Sequence, residues 1–223
     1  MDDIFELEFK EKKFFFYRTP TSGALINEIF ADNYKIFSQG IQFEDGDVIL
    51  DIGANEGMFS IMMAKMFPMV KVVSFEPVPR TFFQMVRNIG LNGVTNIEPF
   101  NVGVGGNEVD LHAHMNVHKV YSGGSSLVDT YDPLTHDRVS VVLRPLDEII
   151  MRHGPIALLK IDIEGGEYEA LHDCTKLADV KNMVGEFHIN PKLQSKGYSI
   201  EGLATYVKEK TNLIHYELCR MAD

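Results

Sequence analysis

From Val48 to the end of the chain, short apolar runs alternate with stretches of helical periodicity. VILDI, KVVSFEP, PIALLKIDI, NMVGEFH and LIHYELC read as strands, with helical patterns over 58–67, 81–91, 146–152, 167–172 and 200–210 between them. A further strand is expected within IEPFNVGVG. Such alternation leaves few architectures, because each strand must return to the same edge through a helix: a parallel sheet with right-handed crossovers and helices on both faces. Ligands in such sheets bind beyond the carboxyl ends of the strands, so residues that follow each apolar run are the candidates for function.

Two regions depart from the alternation. Residues 107–145 carry EVDLHAH and RVSVVL around a Gly/Ser loop, which reads as a hairpin-like insertion near 107–145. Residues 1–45 form an N-terminal accessory segment with the run FFFY (14–17), a turn TPTSG, and a helical pattern over 25–37. The whole, 1–223, reads as a single domain whose core is 46–223. FFFY and the Met-rich MFSIMMAKM are expected to pack into the core rather than form a lid or cofactor box. YSGGSSL is either a substrate-gating nest or a plain flexible loop.

At the first strand end, Asp51 is followed by Gly53, Asn55 and Gly57. The glycines permit a tight turn and close approach, and asparagine tolerates left-handed geometry. The spacing is not G-x-G-x-x-G, and Glu56 lies where a helix N-terminus would otherwise hold a pyrophosphate. An acid there repels phosphate and tolerates an ammonium or sulfonium. Glu76 ends the second strand, placed to accept hydrogen bonds from both ribose hydroxyls of an adenosine. Asn101 follows the third, either at the adenine or as a satisfied loop amide. On the fourth, Lys160, Asp162 and Glu164 alternate and share one side if the strand continues that far. On the fifth, Glu186 and His188 are likewise two apart, and the polar groups of both strands are expected to converge on one pocket.

The net charge of −11 and the lack of any Lys/Arg-rich stretch disfavour a nucleic-acid partner. No apolar run approaches the ~20 residues that span a bilayer, so no membrane association is expected. The acidic start MDDIFELEF is unlike a signal peptide, and Cys174 and Cys219 lack metal-ligand spacing, which together suit a cytoplasmic location. His112, His114 and His118 read as a solvated hairpin face rather than a metal site.

DIGANEG, FEPVPRTFFQMVRNIGLN, LLKIDIEGGE and GEFH, in this order over roughly 45–190, resemble the FkbM-type S-adenosylmethionine-dependent methyltransferases. The resemblance implies an α/β, Rossmann-like, seven-stranded class I methyltransferase sheet, mostly parallel, with LIHYELC as an antiparallel last strand. It also implies S-adenosyl-L-methionine as cofactor. Asp51, Gly53, Asn55 and Gly57 would cradle the methionyl end, Glu76 would hold the ribose, and Asp162 would lie near the transferable methyl. The expected reaction is O-methylation of a small-molecule acceptor such as a sugar or polyketide, with substrate choice set in the N-terminal segment. N-methylation stays open, as does a homo-oligomer.

An alcohol's pKa of about 16 calls for a general base or a metal. His188 is the natural base at neutral pH, and Lys160 is the next candidate if burial lowers its pKa. Asp162, Glu186 and His188 could instead gather Mg²⁺, which is disfavoured because imidazole is not a usual ligand for it. Two other readings remain: an NAD(P)-linked oxidoreductase, against which the missing G-x-G-x-x-G and Glu56 speak, and a cofactor-binding protein without catalysis.

Overall fold

The computed structural model describes residues 3–108, 111–121, 125–127 and 132–221. The chain opens with an antiparallel hairpin, β1 (Ile4–Phe9) and β2 (Lys12–Tyr17), turned by Lys10 and Glu11 at positive φ. Helix α1 (Ser22–Phe30) follows. The helical pattern expected over 25–37 stops early because Asp32 takes a left-handed φ of +58° and its carboxylate accepts the Phe37 and Ser38 N–H groups. That local bonding offers the backbone an alternative to the helix.

The alternating part begins with β3 (Val48–Ile52), α2 (Met58–Met66), β4 (Lys71–Phe75), α3 (Pro79–Asn92) and β5 (Ile97–Phe100). The run IEPFNVGVG splits, its end forming β6 (Gly103–Gly105), and the insertion supplies β7 (His112–His118), β8 (Ser125–Ser126) and β9 (His136–Pro145). These four form their own sheet in the order β6-β9-β7-β8, with β7 antiparallel to β9 as the hairpin pattern required. The chain then returns through α4 (Leu146–His153), β10 (Ile156–Ile161), α5 (Glu167–His172), β11 (Val180–Ile189), α6 (Pro191–Ser195), α7 (Ile200–Lys208) and β12 (Asn212–Arg220).

The main sheet runs β12-β11-β10-β3-β4-β5, and every neighbouring pair is parallel. This corrects two expectations at once: the sheet has six strands among the described residues, not seven, and LIHYELC lies in a parallel strand. The reason is the connection. An antiparallel pair can be joined by a tight hairpin, whereas α6 and α7 carry the chain from the end of β11 back to its starting edge before β12 begins. The strand order reverses between β3 and β10, which opens a crevice at their carboxyl ends.

The period-2 pattern of the strands divides the core into two layers. Leu50, Ile52, Leu159 and Ile161 pack with α4, α5 and α7 on one face. Ile49, Val72, Leu158 and Val184 pack on the other with Phe14, Phe16, Leu25, Ile29 and the buried methionines Met58, Met62 and Met63. FFFY is therefore core, as its pattern implied. Asp51, Lys160 and Glu186 each lie two residues beyond a member of this second layer, so they project onto the face that the N-terminal segment covers.

Two asparagines fasten that segment down. Asn92 Oδ1 accepts the Phe15 N–H while its Nδ2 donates to the Phe15 carbonyl. Asn88, fully buried, accepts the Tyr17 N–H (3.1 Å) and donates to the Glu56 carbonyl (2.9 Å). Asn88→Ala would leave both backbone groups without this partner, at about 1–3 kcal/mol for each buried orphan. We expect urea unfolding of Asn88→Ala to show a loss of about 2–4 kcal/mol; an unchanged midpoint would mean that the hairpin docks without it.

Candidate functional site

The ends of β3 and β10 meet around one buried ammonium. Asp51 and Lys160 are register partners on adjacent strands, and Lys160 Nζ lies 3.5 Å from Asp51 Oδ1 and 3.4 Å from Asp162 Oδ2. The amine also donates to the Gly53 carbonyl at 2.8 Å. Burial would lower the Lys160 pKa, but the charges of Asp162, Asp51, Glu28 and Glu186 outweigh it and raise the group above its ordinary value. Lys160 is thus a fixed cation, which corrects the expectation that burial could make it a base. The other Asp51 oxygen accepts from Ser60 Oγ, itself paired with Ser74.

The turn after β3 wraps over this ammonium. Gly53 has φ +79°, and a Cβ there would come within 1.8 Å of the Asp162 carbonyl oxygen. The glycine is needed for contact with the backbone just after β10, where the sequence suggested only the approach of a ligand. Asn55 has φ +51°, and its side-chain Oδ1 is buried with no hydrogen-bond partner among the described residues. Gly57, at φ +80°, precedes α2, and a Cβ there would press on Met85 of α3. Glu56 does not stand free at the helix end: its Oε1 accepts from the hydroxyls of Thr19 and Thr21, each at 2.7 Å.

Glu76, 7% exposed at the end of β4, accepts the Asn55 and Val78 N–H groups, one on each oxygen. Each oxygen keeps a further lone pair for a ribose hydroxyl. Burial raises its pKa to about 7, against those two hydrogen bonds. Asn101 donates to the Glu76 and Pro77 carbonyls at 2.9 and 3.0 Å. It steadies this turn and does not line the cavity, so the adenine role is withdrawn.

The strand β10 ends at Ile161 and Glu164 has φ +52°, so extended geometry does not reach Glu164. Asp162 and Glu164 nevertheless line the same cavity of about 290 Å³, together with Asn55, Glu76, Lys160 and Glu186. His188 lies behind its wall. Its Nδ1 is 3.0 Å from Glu167 Oε1, and its Nε2 is 3.4 Å from Glu164 and 3.9 Å from Glu186. Burial opposes protonation, but hydrogen bonds with Cys219 and Glu167 and the charges of Glu167 and Asp162 push the imidazole up to about 12. With carboxylates facing both ring nitrogens, the geometry argues against His188 as the acceptor's general base, the role that residue type suggested.

Sequence reading missed the contribution of the N-terminal segment. Glu28 on α1 lines the cavity, and burial together with Asp162 raises its pKa to about 7. Tyr34, 2% exposed, donates to Glu28 at 2.8 Å and lies 3.4 Å from Glu186. A signal was present: Glu28 falls three residues after Leu25 and one before Ile29, on the apolar stripe of the helix, where an unpaired acid is out of place. From the insertion, Ser125 and Leu127 line the cavity and Ser126 Oγ donates to the Glu164 carbonyl at 2.6 Å. The rest of YSGGSSL, residues 122–124, lies outside the described residues. His112 and His114 are exposed on β7, away from these groups.

The arrangement suits a cationic adenosine cofactor. The buried, unpaired Asn55 oxygen points to a missing donor, Glu76 retains ribose-accepting lone pairs, and acids outnumber the cations around the cavity. Comparison with known proteins agrees. The description "Methyltransferase FkbM domain" matches residues 51–212. Methyltransferase 1 of Beauveria bassiana is 29% identical over 149 residues, 58% of this chain and 59% of that protein, so the chain spans about three fifths of that relative's length. Methyltransferase sdnD of Sordaria araneosa is 27% identical over 79% of this chain and 82% of its own length. The 31-O-demethyl-FK506 methyltransferase FkbM of Streptomyces tacrolimicus is 39% identical over 64 residues, 29% of this chain and 24% of that protein.

Glu76 makes stability depend on pH. Its folded pKa of about 7 lies above the ordinary 4.5, so the folded chain holds a proton that the unfolded chain releases in that interval. The contribution is complete below 4.5 and is lost as pH rises through 7. At about 1.4 kcal/mol per pKa unit the loss is on the order of 3 kcal/mol. Denaturant unfolding of the cofactor-free chain at about pH 5 and about pH 8 should show this fall, and Glu76→Gln should flatten it by that amount. Equal slopes in the two proteins would refute the assignment.

Proposed function

Because the chain belongs to the FkbM methyltransferase family, which uses S-adenosylmethionine, we propose that it methylates a hydroxyl oxygen of a small molecule such as a sugar or polyketide. Family membership removes the nicotinamide reading that the strand–glycine loop–helix unit had invited. The observation that carries the oxygen assignment is the wall facing the cofactor loop, where Glu28, Asp162 and Glu186 bring one carboxylate oxygen each within 4.8 Å of one another. Such a wall accepts hydrogen bonds from hydroxyl groups and repels phosphorylated acceptors. A relative named as acting on a 31-O-demethyl compound supports the same reading.

When bound, the cofactor supplies an electrophilic sulfonium methyl. The chain's task is to align the acceptor, exclude water and take a proton. Acids surround both His188 and Lys160 and raise their pKa values, so a carboxylate is the better proton acceptor. Asp162 is engaged by Lys160, while Glu164 and Glu186 both lie against His188. Glu28 has no ion-pair partner among the described residues and is bonded by the Tyr34 hydroxyl, which leaves it to act as the base. Gly53, Asn55 and Glu76 would hold the cofactor, with Asp162 beside them; Asp51, expected in that cradle, is fully buried behind it and would act by holding Lys160. Mg²⁺ has no role in this reading, because Lys160 already supplies positive charge at Asp162.

The test is a panel of hydroxylated and amino metabolites incubated with methyl-labelled S-adenosylmethionine. The label is expected in an ether-linked methyl; recovery on nitrogen would overturn the oxygen assignment. With the acceptor so found, Glu28→Gln should lower turnover by about 10²–10⁴-fold, the range for losing a general base. Calorimetric titration should show its affinity for S-adenosylhomocysteine unchanged. Full turnover in Glu28→Gln would move the base elsewhere.

A further inference from the structure

Behind the cavity wall, His188 and Cys219 form a second constellation with Glu186, which the acceptor wall shares. Strands β11 and β12 place His188 and Cys219 as register partners. Cys219 Sγ lies 3.1 Å from Glu186 Oε2, and ligand atoms of Glu186, His188 and Cys219 all fall within 4.8 Å of one another. Glu164 Oε2 lies on another side of the imidazole, 3.4 Å from His188 Nε2. In a tetrahedral zinc site, bonds of about 2.0–2.3 Å set neighbouring ligand atoms about 3.3–3.5 Å apart. The separations here, 3.1 Å between Cys219 and Glu186 and 3.9 Å between His188 and Glu186, bracket that spacing.

We propose that His188 Nε2, Cys219 Sγ and Glu186 form a three-ligand binding site for Zn²⁺ in the wall of the cavity, with a fourth position open. An independent feature supports it. The far nitrogen, Nδ1, is held by Glu167, a residue 1% exposed whose oxygens also accept the Ile163 and Gly165 N–H groups. A carboxylate fixed behind a histidine in this way orients Nε2 and raises its basicity, the usual outer support of a metal-ligating imidazole. Charge argues the same way. Three carboxylates surround one imidazole, and a divalent ion balances them better than a single imidazolium proton.

The ligand set selects zinc. Thiolate and imidazole suit it, whereas Mg²⁺ and Ca²⁺ prefer oxygen alone. The all-oxygen trio Glu28, Asp162 and Glu186 is the weaker candidate, since the Lys160 ammonium already sits 3.4 Å from Asp162. The spacing of Cys174 and Cys219 could not show the zinc site, because its members come from β11 and β12.

The full chain, stripped with a chelator and dialysed, is titrated with Zn²⁺ and, for spectroscopy, with Co²⁺. We expect one ion per chain and a near-ultraviolet thiolate-to-cobalt absorption band. Cys219→Ser, a mild change on an edge strand, should abolish the band and weaken Zn²⁺ binding about tenfold or more. Cys174→Ser should change neither. Absence of saturable uptake, or wild-type affinity in Cys219→Ser, or a band that survives that substitution, would overturn the site. The readout is uptake of the ion alone, so it stands or falls apart from the acceptor and from the role of Glu28.

Discussion

The Lys160 ammonium, buried between Asp51, Asp162 and the Gly53 carbonyl, is the contact on which the site's geometry depends. It sits where the strand order reverses, and it adds a charged contact to the backbone pairing and apolar packing that join β3 and β10. A buried ion pair of this kind adds little stability over a well-packed apolar pair, yet removing one partner is costly because the other charge is left behind. Its effect is therefore on specification. With the amine in place, the ends of β3 and β10 have one mutual arrangement, and the Gly53 turn must close against the Asp162 backbone.

That arrangement sets the electrostatics around it. The cationic centre offsets Asp51 and Asp162, but the outer acids Glu28, Glu76 and Glu164 are left in a poorly solvated wall, and burial raises each of them to about 7 or 8. Such carboxylates are poised to exchange protons near neutrality. His188 takes the opposite course: acids and a thiol press on it from several sides and raise its pKa in the metal-free site. Residue type alone would have ranked these groups the other way, with histidine titrating near neutrality and glutamate fully ionised.

The N-terminal segment is the element that converts an open crevice into a cavity. β2 docks on α3 through Asn88 and Asn92, Thr19 and Thr21 grip Glu56, and α1 delivers Glu28 opposite Asp162. The insertion covers another side through Ser125, Ser126 and Leu127. Cofactor loop and acceptor wall are thus built from different parts of the chain, which lets the second vary while the first is held.

Much of this was legible in the sequence because it is local. Period-2 and period-3.6 patterns follow from backbone geometry, so β3, α2, β4, α3, β10 and β11 could be read to within a few residues, as could the acids at their ends. Gly53, Asn55 and Gly57 declared a turn with left-handed positions, and all three have positive φ. What the sequence could not contain is the sum of fields and neighbours at a point. The parallel direction of β12 depended on where α7 delivered the chain; the early end of α1 depended on an aspartate closing on its own backbone. The charge states of Lys160 and His188, the presence of Glu28 in the wall, and the meeting of Cys219 with His188 all arise from residues far apart in the chain. Burial and Coulomb interaction act through space, and only the tertiary structure decides which groups share that space.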